Sequence, residues 1–149
     1  MIKDESTYQQ LLKCCEYLGI GDMRRQLEEM MVVDYLIANT DRHWGNFGFI
    51  RDANTLEWKG FAPIFDSGNS LWFDKRNTTE SVLSETFERT QDEQIKLITD
   101  LSWYEEIPRK ELEEIVMSSL NNHLFMDEKR KTMITEGLIK NAETIMSLE

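Results

Sequence analysis

The sequence predicts a mainly helical α+β domain in which one β-hairpin interrupts the helices. Apolar residues recur at helical spacing before position 39 and after position 90, and an alternating pattern lies between them at 47–50. A hydrophobic fraction of 40% and an aromatic fraction of 10% exclude a disordered chain. The length of 149 residues suits a single domain that spans the whole chain, 1–149.

Two helices are predicted ahead of the hairpin. In residues 5–18 apolar side chains recur every three or four positions, with Ser6 or Thr7 as the expected cap and a glycine-containing turn as the end. Asp22 is the expected cap of the second helix, at about 23–38. The last turns of this helix carry a single charged residue, so this end should lie in the core.

The hairpin itself is predicted at 47–65. Residues 51–57 have the composition of a turn, and residues 58–65 read as the returning strand, in which Pro63 requires an edge or irregular position. A loop at 66–80 follows. Three further helices are then predicted, at about 91–101, 109–122 and 127–147, with Pro108 and Asp127 marking the start of the last two.

Charge and composition exclude several classes of protein. The chain has 28 acidic and 17 basic residues and a net charge of −11. Because nucleic-acid binding needs a basic surface, we do not expect a nucleic-acid partner. No apolar run approaches the ~20 residues of a membrane span, and the polar N-terminus does not resemble a signal peptide. Cys14 and Cys15 are adjacent and point apart on a helix, so we expect no structural disulfide and a cytoplasmic location.

Polar side chains cluster in the stretch NTDRHWGNFGFI (39–50), directly after the second helix. If Phe47 pairs with Phe65, then Asn46 and Asp66 leave the two strands at the same open end of the hairpin. Asp41 lies on the same loop as Asn46. We therefore expect these three oxygen-bearing side chains to converge at one point.

Amide and carboxylate oxygens are hard ligands that suit Mg²⁺, which typically takes one or two protein groups together with phosphate oxygens. A carboxylate beside such a site, here Asp41, can accept a proton from an incoming hydroxyl. The competing interpretation is a hairpin flanked by ordinary turns in which Asn and Asp side chains cap their own backbone.

The segments DRHWGN (41–46) and FDSG (65–68) resemble the catalytic loop and metal loop of HipA-like serine/threonine kinases, the toxin type of bacterial toxin–antitoxin systems. A looser form of the first segment occurs in phosphatidylinositol-type lipid kinases. The resemblance implies a protein-kinase-like C-lobe whose hairpin carries both loops, with Mg²⁺ and ATP as cofactors. It implies Asp41 as the catalytic base, His43, Asn46 and Asp66 as cofactor-binding residues, and Asn46 and Asp66 as the metal ligands.

The chain departs from a complete kinase in the region before Asp41. A kinase needs a loop that covers the phosphates and a strand-borne lysine, whereas residues 1–40 predict two helices. We therefore expect one of two functions: a C-lobe completed by a separate N-lobe or by sequence absent from this chain, or a non-catalytic remnant that acts as a protein-interaction module. The expected partners are that N-lobe or an antitoxin-like protein, and a protein substrate if the chain is active. Self-association through an exposed apolar seam is a further expectation.

Three residues of the first loop have competing interpretations. For His43 a buried, hydrogen-bonded role that organises the loop is favoured over catalysis. Arg42 is suited equally to a phosphate contact and to a salt bridge with a core carboxylate such as Asp34. For Trp44 a packed indole is favoured over a surface binding group.

Overall fold

Five α-helices and two small antiparallel sheets form the part of the chain that the computed structural model describes, residues 6–75, 78–84, 86–87, 89–121, 123 and 126–148. The helices are α1 (Thr7–Tyr17), α2 (Arg24–Ile37), α3 (Gln91–Gln94, continued by a 3₁₀ turn at Ile95–Leu97), α4 (Arg109–Asn121) and α5 (Glu128–Met146). The strands are β1 (Phe49–Arg51), β2 (Trp58–Phe61), β3 (Leu83–Ser84) and β4 (Arg89–Thr90). The predicted α+β class is confirmed. Within these residues no helix has the length and apolar character needed to cross a bilayer.

Helix α2 runs through the centre of the fold. It packs against α5 and α3, and α5 packs in turn against α4. Leu27 and Met30 of α2 join an apolar cluster with Tyr8 of α1, while Val32 joins a second cluster with Ile145 of α5. The prediction that the end of this helix lies in the core is confirmed. The polar segment that follows α2 therefore starts inside the protein.

The starts of the helices follow the side chains that the sequence offers. Ser6 forms a reciprocal capping box with Gln9 at the start of α1, and Asp127 accepts a hydrogen bond from the backbone at the start of α5. Asp22 accepts from the N–H of Arg24 at 3.0 Å, although it lies one position before the N-cap of α2. Helices α4 and α5 match the predictions to within one residue at each end.

The hairpin differs in register from the prediction. Phe49 lies opposite Phe61 in the β1–β2 pair, so the expected pairing of Phe47 with Phe65 is wrong. The last hydrogen bond of the ladder comes from the N–H of Ala62. The next residue is proline, which has no N–H and cannot continue the ladder. The chain therefore leaves the sheet earlier than predicted and approaches the end of α2 as an irregular segment.

The helix predicted at 91–101 is shorter than expected and ends at Leu97. The N–H groups of Thr99 and Asp100 donate instead to the buried carboxylate of Glu28, at 3.1 and 3.3 Å. This side-chain acceptor replaces the carbonyls that a continuing helix would use. The β3–β4 pair was not predicted, because two residues in each strand are too few to show a period.

Candidate functional site

The turn after α2 is shaped by the fully buried Asn39. Ala38 ends the helix in the left-handed conformation, with φ of 50°. The amide nitrogen of Asn39 donates to Oδ1 of Asp34 at 2.9 Å, and its Oδ1 accepts from the N–H of Asp41 at 3.2 Å. Gln91 of α3 donates to the carbonyl of Asn39 at 2.7 Å. These contacts fix the path of the 39–46 loop from its first residue.

Arg42 is buried, with 2% of its surface exposed, and every N–H of its guanidinium has an acceptor. Nε and Nη2 donate to Asp34 at 2.8 and 2.9 Å. Nη1 donates to the carbonyl of Asn46 and, at 2.7 Å, to the carbonyl of Phe65, and Nη2 reaches Oγ of Ser67 at 3.5 Å. Of the two interpretations, the structure shows the salt bridge with Asp34, and no donor remains for a phosphate.

The same guanidinium joins the two loops that carry the predicted site. The carbonyls of Asn46 and Phe65 lie within hydrogen-bonding distance of one nitrogen atom. Phe65 is the residue before Asp66, so the 39–46 loop and the 65–72 loop meet at Arg42. The predicted convergence rested on a strand register that is wrong, and the contact between the loops comes from this buried ion pair instead.

Asn69 forms a second connection between the two loops. Its side-chain nitrogen donates to Oδ2 of Asp41 at 2.9 Å. Its carbonyl accepts from both the N–H and the hydroxyl of Thr40, each at 2.9 Å. The Asp41 carboxylate is therefore oriented by a residue of the opposite loop, and Asn69 is fixed there by its own backbone.

The side chains of Asn46 and Asp66 leave oxygen atoms unused. Asn46 is buried and donates from Nδ2 to the carbonyl of Asp41 at 2.8 Å, which turns its Oδ1 away from that carbonyl. Asp66 is exposed and has a positive φ of 54°. In the described part of the chain no residue donates a hydrogen bond to Oδ1 of Asn46 or to the Asp66 carboxylate.

This donor set fits a magnesium ion that is shared with phosphate. One amide oxygen and one carboxylate are the hard ligands that Mg²⁺ takes when phosphates and water complete its shell. Among the described residues no group of three or more His, Cys, Asp or Glu side chains could hold a metal by itself. A resident ion held by the protein alone is therefore less suited to this site than a cation that arrives with its ligand.

His43 organises the 39–46 loop from a half-exposed position. Its Nδ1 accepts from the N–H of Gly45 at 3.0 Å, so the neutral ring carries its proton on Nε2, which lies 3.9 Å from Oδ1 of Asp41. The expected hydrogen-bonded role is present, but 42% of the side chain is exposed, so the expectation of a buried ring is wrong. A Cβ at position 45 would lie 2.9 Å from Cε1 of His43, which explains the glycine.

Trp44 is half exposed, contrary to the expectation of a packed indole, with 51% of its surface open to solvent. Its ring contacts those of Phe47 and Phe87, with centroid distances of 5.6 and 6.2 Å and a T-shaped arrangement in the second pair. The neighbouring Thr86 is buried and donates its hydroxyl to the carbonyl of Arg42. The Thr86–Phe87 segment thus supports the 39–46 loop, and about half of the Trp44 surface stays open to solvent.

Helix α5 holds the 65–72 loop from the other side. Leu71 and Trp72 both have positive φ, of 58° and 52°, a conformation that costs free energy in residues with a Cβ. Arg130 donates to both of their carbonyls at 2.7 Å. The buried Trp72 ring lies against Gly137, where a Cβ would come within 2.5 Å of it. The shape of this loop therefore depends on α5.

Sequence reasoning missed three of the residues that build this site: Asn69, Thr86 and Arg130. Their contacts join positions that are 28, 44 and 59 residues apart in sequence. Each residue lies in a segment whose local pattern suits a loop or a helix surface. No signal in the sequence marks them, since the pairing follows from tertiary packing alone.

Comparison with known proteins identifies similar chains. The family model of the HipA-like C-terminal domain matches residues 2–129. A stretch of 44 residues is 50% identical to the serine/threonine-protein kinase CtkA of Helicobacter pylori (strain J99). This stretch covers 30% of this chain and 13% of that protein. The crystal structure of a Helicobacter pylori proinflammatory kinase, CtkA, is similar in fold, with a TM-score of 0.55 and 22% identity. That match covers 82% of this chain and 53% of the other, so the chain spans about half the length of the solved relative.

Proposed function

From the premise that the chain belongs to the HipA-like C-terminal domain family, as the match over residues 2–129 shows, we propose that it is the C-lobe of an ATP- and Mg²⁺-dependent serine/threonine phosphotransferase. The predicted family resemblance is confirmed. One observation carries the proposal: two loops from distant parts of the chain are joined by Arg42 and Asn69 while the functional oxygens of Asp41, Asn46 and Asp66 stay open.

The open groups have complementary roles in phosphoryl transfer. Oδ1 of Asn46 and the Asp66 carboxylate would hold Mg²⁺, which neutralises charge on the phosphate oxygens when bound. Asp41 keeps Oδ1 free of hydrogen bonds from described residues and accepts the proton of the acceptor hydroxyl. His43 directs Nε2–H toward the same opening, where a phosphate oxygen is a suitable acceptor. The acceptor would be a serine or threonine of a protein substrate.

The proposal includes an N-lobe, supplied by a separate chain or encoded upstream of Met1, because the described residues carry only part of a kinase site. Residues 6–38 form two helices and their connections, without a strand that could carry a phosphate-binding lysine. Positioning of the phosphates supplies much of the rate acceleration in this chemistry. The purified chain should therefore transfer phosphate from ATP very slowly or not at all. Rapid autophosphorylation that Asp41→Asn abolishes would show that no separate N-lobe is needed.

The competing function is a non-catalytic protein-interaction module. The half-exposed Trp44 and the exposed Phe65 and Phe73 favour this reading, because they offer apolar surface around the loops. Genomic sequence upstream of Met1 separates the two functions. An in-frame or adjacent reading frame that encodes a β-rich segment with a glycine-rich loop supports the phosphotransferase, and its absence supports the interaction module.

Thermal melting with divalent cations tests the proposed metal site. Millimolar Mg²⁺ or Mn²⁺ should raise the melting temperature of the wild type modestly, because a ligand that binds the folded state stabilises it. ATP without metal should add nothing, and Mg-ATP only slightly more than Mg²⁺. Asp66→Asn should lose the shift while the exposed Asp74→Asn, which removes the same charge nearby, should keep it. Equal shifts in both variants would place the cation elsewhere on the acidic surface.

A further inference from the structure

We propose that Asn69 is a positioning residue that separates the roles of the two carboxylates, by holding Asp41 away from the cation so that it acts as a base and not as a third metal ligand. This inference rests on the proposed function. It assigns a task to a residue that the family motif DRHWGN and FDSG does not include.

Asp41 lies close enough to the proposed cation site for this separation to be needed. Asn46, a proposed metal ligand, donates its side-chain amide to the backbone carbonyl of Asp41 at 2.8 Å. A divalent cation attracts a nearby free carboxylate strongly, and this attraction grows where protein replaces water. The Asp41 side chain is 37% exposed and therefore has room to move. A carboxylate bound to the cation would lose basicity toward an acceptor hydroxyl.

Asn69 is the neighbouring residue that fixes the orientation of the Asp41 carboxylate, because Arg42 and His43 do not bind it. Arg42, the adjacent cation, is committed to Asp34 and to backbone carbonyls. Nε2 of His43 lies 3.9 Å from Oδ1 of Asp41, beyond hydrogen-bonding distance. Within the described chain, the side-chain hydrogen bond to this carboxylate comes from Nδ2 of Asn69 to Oδ2, at 2.9 Å.

Asn69 is well suited to restrain a base because its amide is both fixed and neutral. Its carbonyl accepts two hydrogen bonds from Thr40, so its backbone is anchored to the loop that carries Asp41. A carboxylate can only accept, so the amide must direct its nitrogen toward Asp41. A lysine or arginine at this position would neutralise the base, whereas a neutral amide orients Oδ2 and leaves Oδ1 open for the hydroxyl.

Titration with Mn²⁺, followed by the electron paramagnetic resonance signal of the free ion, tests this inference on the 149-residue chain. Asn69→Ala should release Asp41 and let it reach the cation, so the affinity for Mn²⁺ should rise severalfold. A merely structural role predicts the opposite sign, since loss of a supporting partner typically weakens a metal site by about 10–100-fold. Asn69→Ser should change the affinity in the same direction if the alanine variant folds poorly.

Two further comparisons isolate the cause. In the Asp41→Asn background, Asn69→Ala should leave the Mn²⁺ affinity unchanged, because the released carboxylate is absent. Asn54→Ala, the same substitution in the exposed turn of the hairpin, should leave the affinity of the wild type unchanged. If Asp66→Asn abolishes binding but Asn69→Ala fails to raise it, this inference alone is overturned. If Asp66→Asn binds Mn²⁺ like the wild type, the proposed metal site and this inference both fail.

Discussion

Two buried carboxylates of α2, Glu28 and Asp34, differ in the charge of the groups that donate hydrogen bonds to them. Both are almost inaccessible, with 1% and 5% of their surface exposed. They are separated by less than two helical turns and project from the helix axis about 120° apart, so they face different parts of the protein. Glu28 is satisfied mainly by neutral donors, whereas Asp34 binds the guanidinium of Arg42.

Glu28 connects elements of the scaffold. It accepts from the hydroxyl of Tyr8 at 3.1 Å, from the hydroxyl and N–H of Thr99 at 2.9 and 3.1 Å, and from the N–H of Asp100 at 3.3 Å. The half-exposed Arg24 approaches only to 4.0 Å. The hydrogen bonds of Glu28 therefore join α1, α2 and the segment after α3, and none of these donors belongs to the 39–46 or 65–72 loop.

Asp34 connects α2 to the site because its partner, Arg42, also donates hydrogen bonds to both loops. The guanidinium of Arg42 uses part of its donors on Asp34 and extends the others to Asn46, Phe65 and Ser67. A planar group with five donors can satisfy a buried charge and two loops at once. The comparison teaches that the kind of partner sets the role: neutral donors make Glu28 a scaffold residue, and a guanidinium makes Asp34 a site residue.

The largest effect should come from Arg42→Met. The substitution leaves Asp34 as an uncompensated buried charge and should destabilise the protein by about 3–5 kcal/mol. It should also abolish the stabilisation by Mn²⁺. Urea unfolding measures the first effect, and melting with the metal measures the second. The double variant Asp34→Asn/Arg42→Met should be more stable than Arg42→Met, because no charge remains buried. A loss below about 1 kcal/mol in Arg42→Met would contradict the central role of this pair.

A smaller effect is expected from Glu28→Gln. Glutamine keeps the shape of the side chain, but its NH₂ group faces donors that need an acceptor, which should cost about 1–3 kcal/mol. Metal binding should not change once the variant is compared at equal fractions folded. Urea unfolding and Mn²⁺ titration check both points. A loss of metal binding in a folded Glu28→Gln protein would remove the proposed distinction between the two carboxylates.

The smallest effect concerns alkaline pH. Burial, reinforced by the charge of Glu28 and the hydrogen bond to it, raises the pKa of the Tyr8 phenol well above its ordinary value. A pKa that is higher in the folded state gives stability that is complete below the unfolded value of about 10 and is lost as the pH rises above it. The free energy of unfolding should therefore fall more steeply above about pH 10 in the wild type than in Tyr8→Phe. Parallel slopes would contradict the raised pKa of the buried Tyr8 phenol.

The sequence predicts the parts of the fold and site that depend on contiguous residues. The long helices α4 and α5 repeat their apolar positions often enough to be located within a residue, and the 39–46 loop carries Asp41 and Asn46 in one motif. The short β3–β4 pair and the early end of α3 lack such repetition. The helix ends early because the N–H of Thr99 donates to Glu28, which is 71 residues away in sequence. No local sequence pattern indicates that contact.

The assembly of the site is less predictable than its members. The sequence predicts Asp66 near Asn46 through a strand register that the proline after Ala62 prevents, whereas the real connection is the guanidinium of Arg42. Asn69 was part of a segment that reads as an ordinary loop. Its contact with Asp41 spans 28 residues and depends on a loop shape that α5 maintains. Tertiary contacts of single polar side chains leave no period in the sequence.

Paramagnetic broadening by Mn²⁺ in ¹H–¹⁵N NMR spectra tests most directly the claim that the 39–46 and 65–72 loops form one cation site. Substoichiometric Mn²⁺ should first broaden the amide signals of Asn46, Asp66 and Ser67, and Asp66→Asn should remove this effect. Signals near the exposed acidic groups around Arg109, where three glutamates surround one arginine, should stay sharp. Broadening that begins around Arg109, with the signals of Asn46 and Asp66 unchanged, would contradict the account.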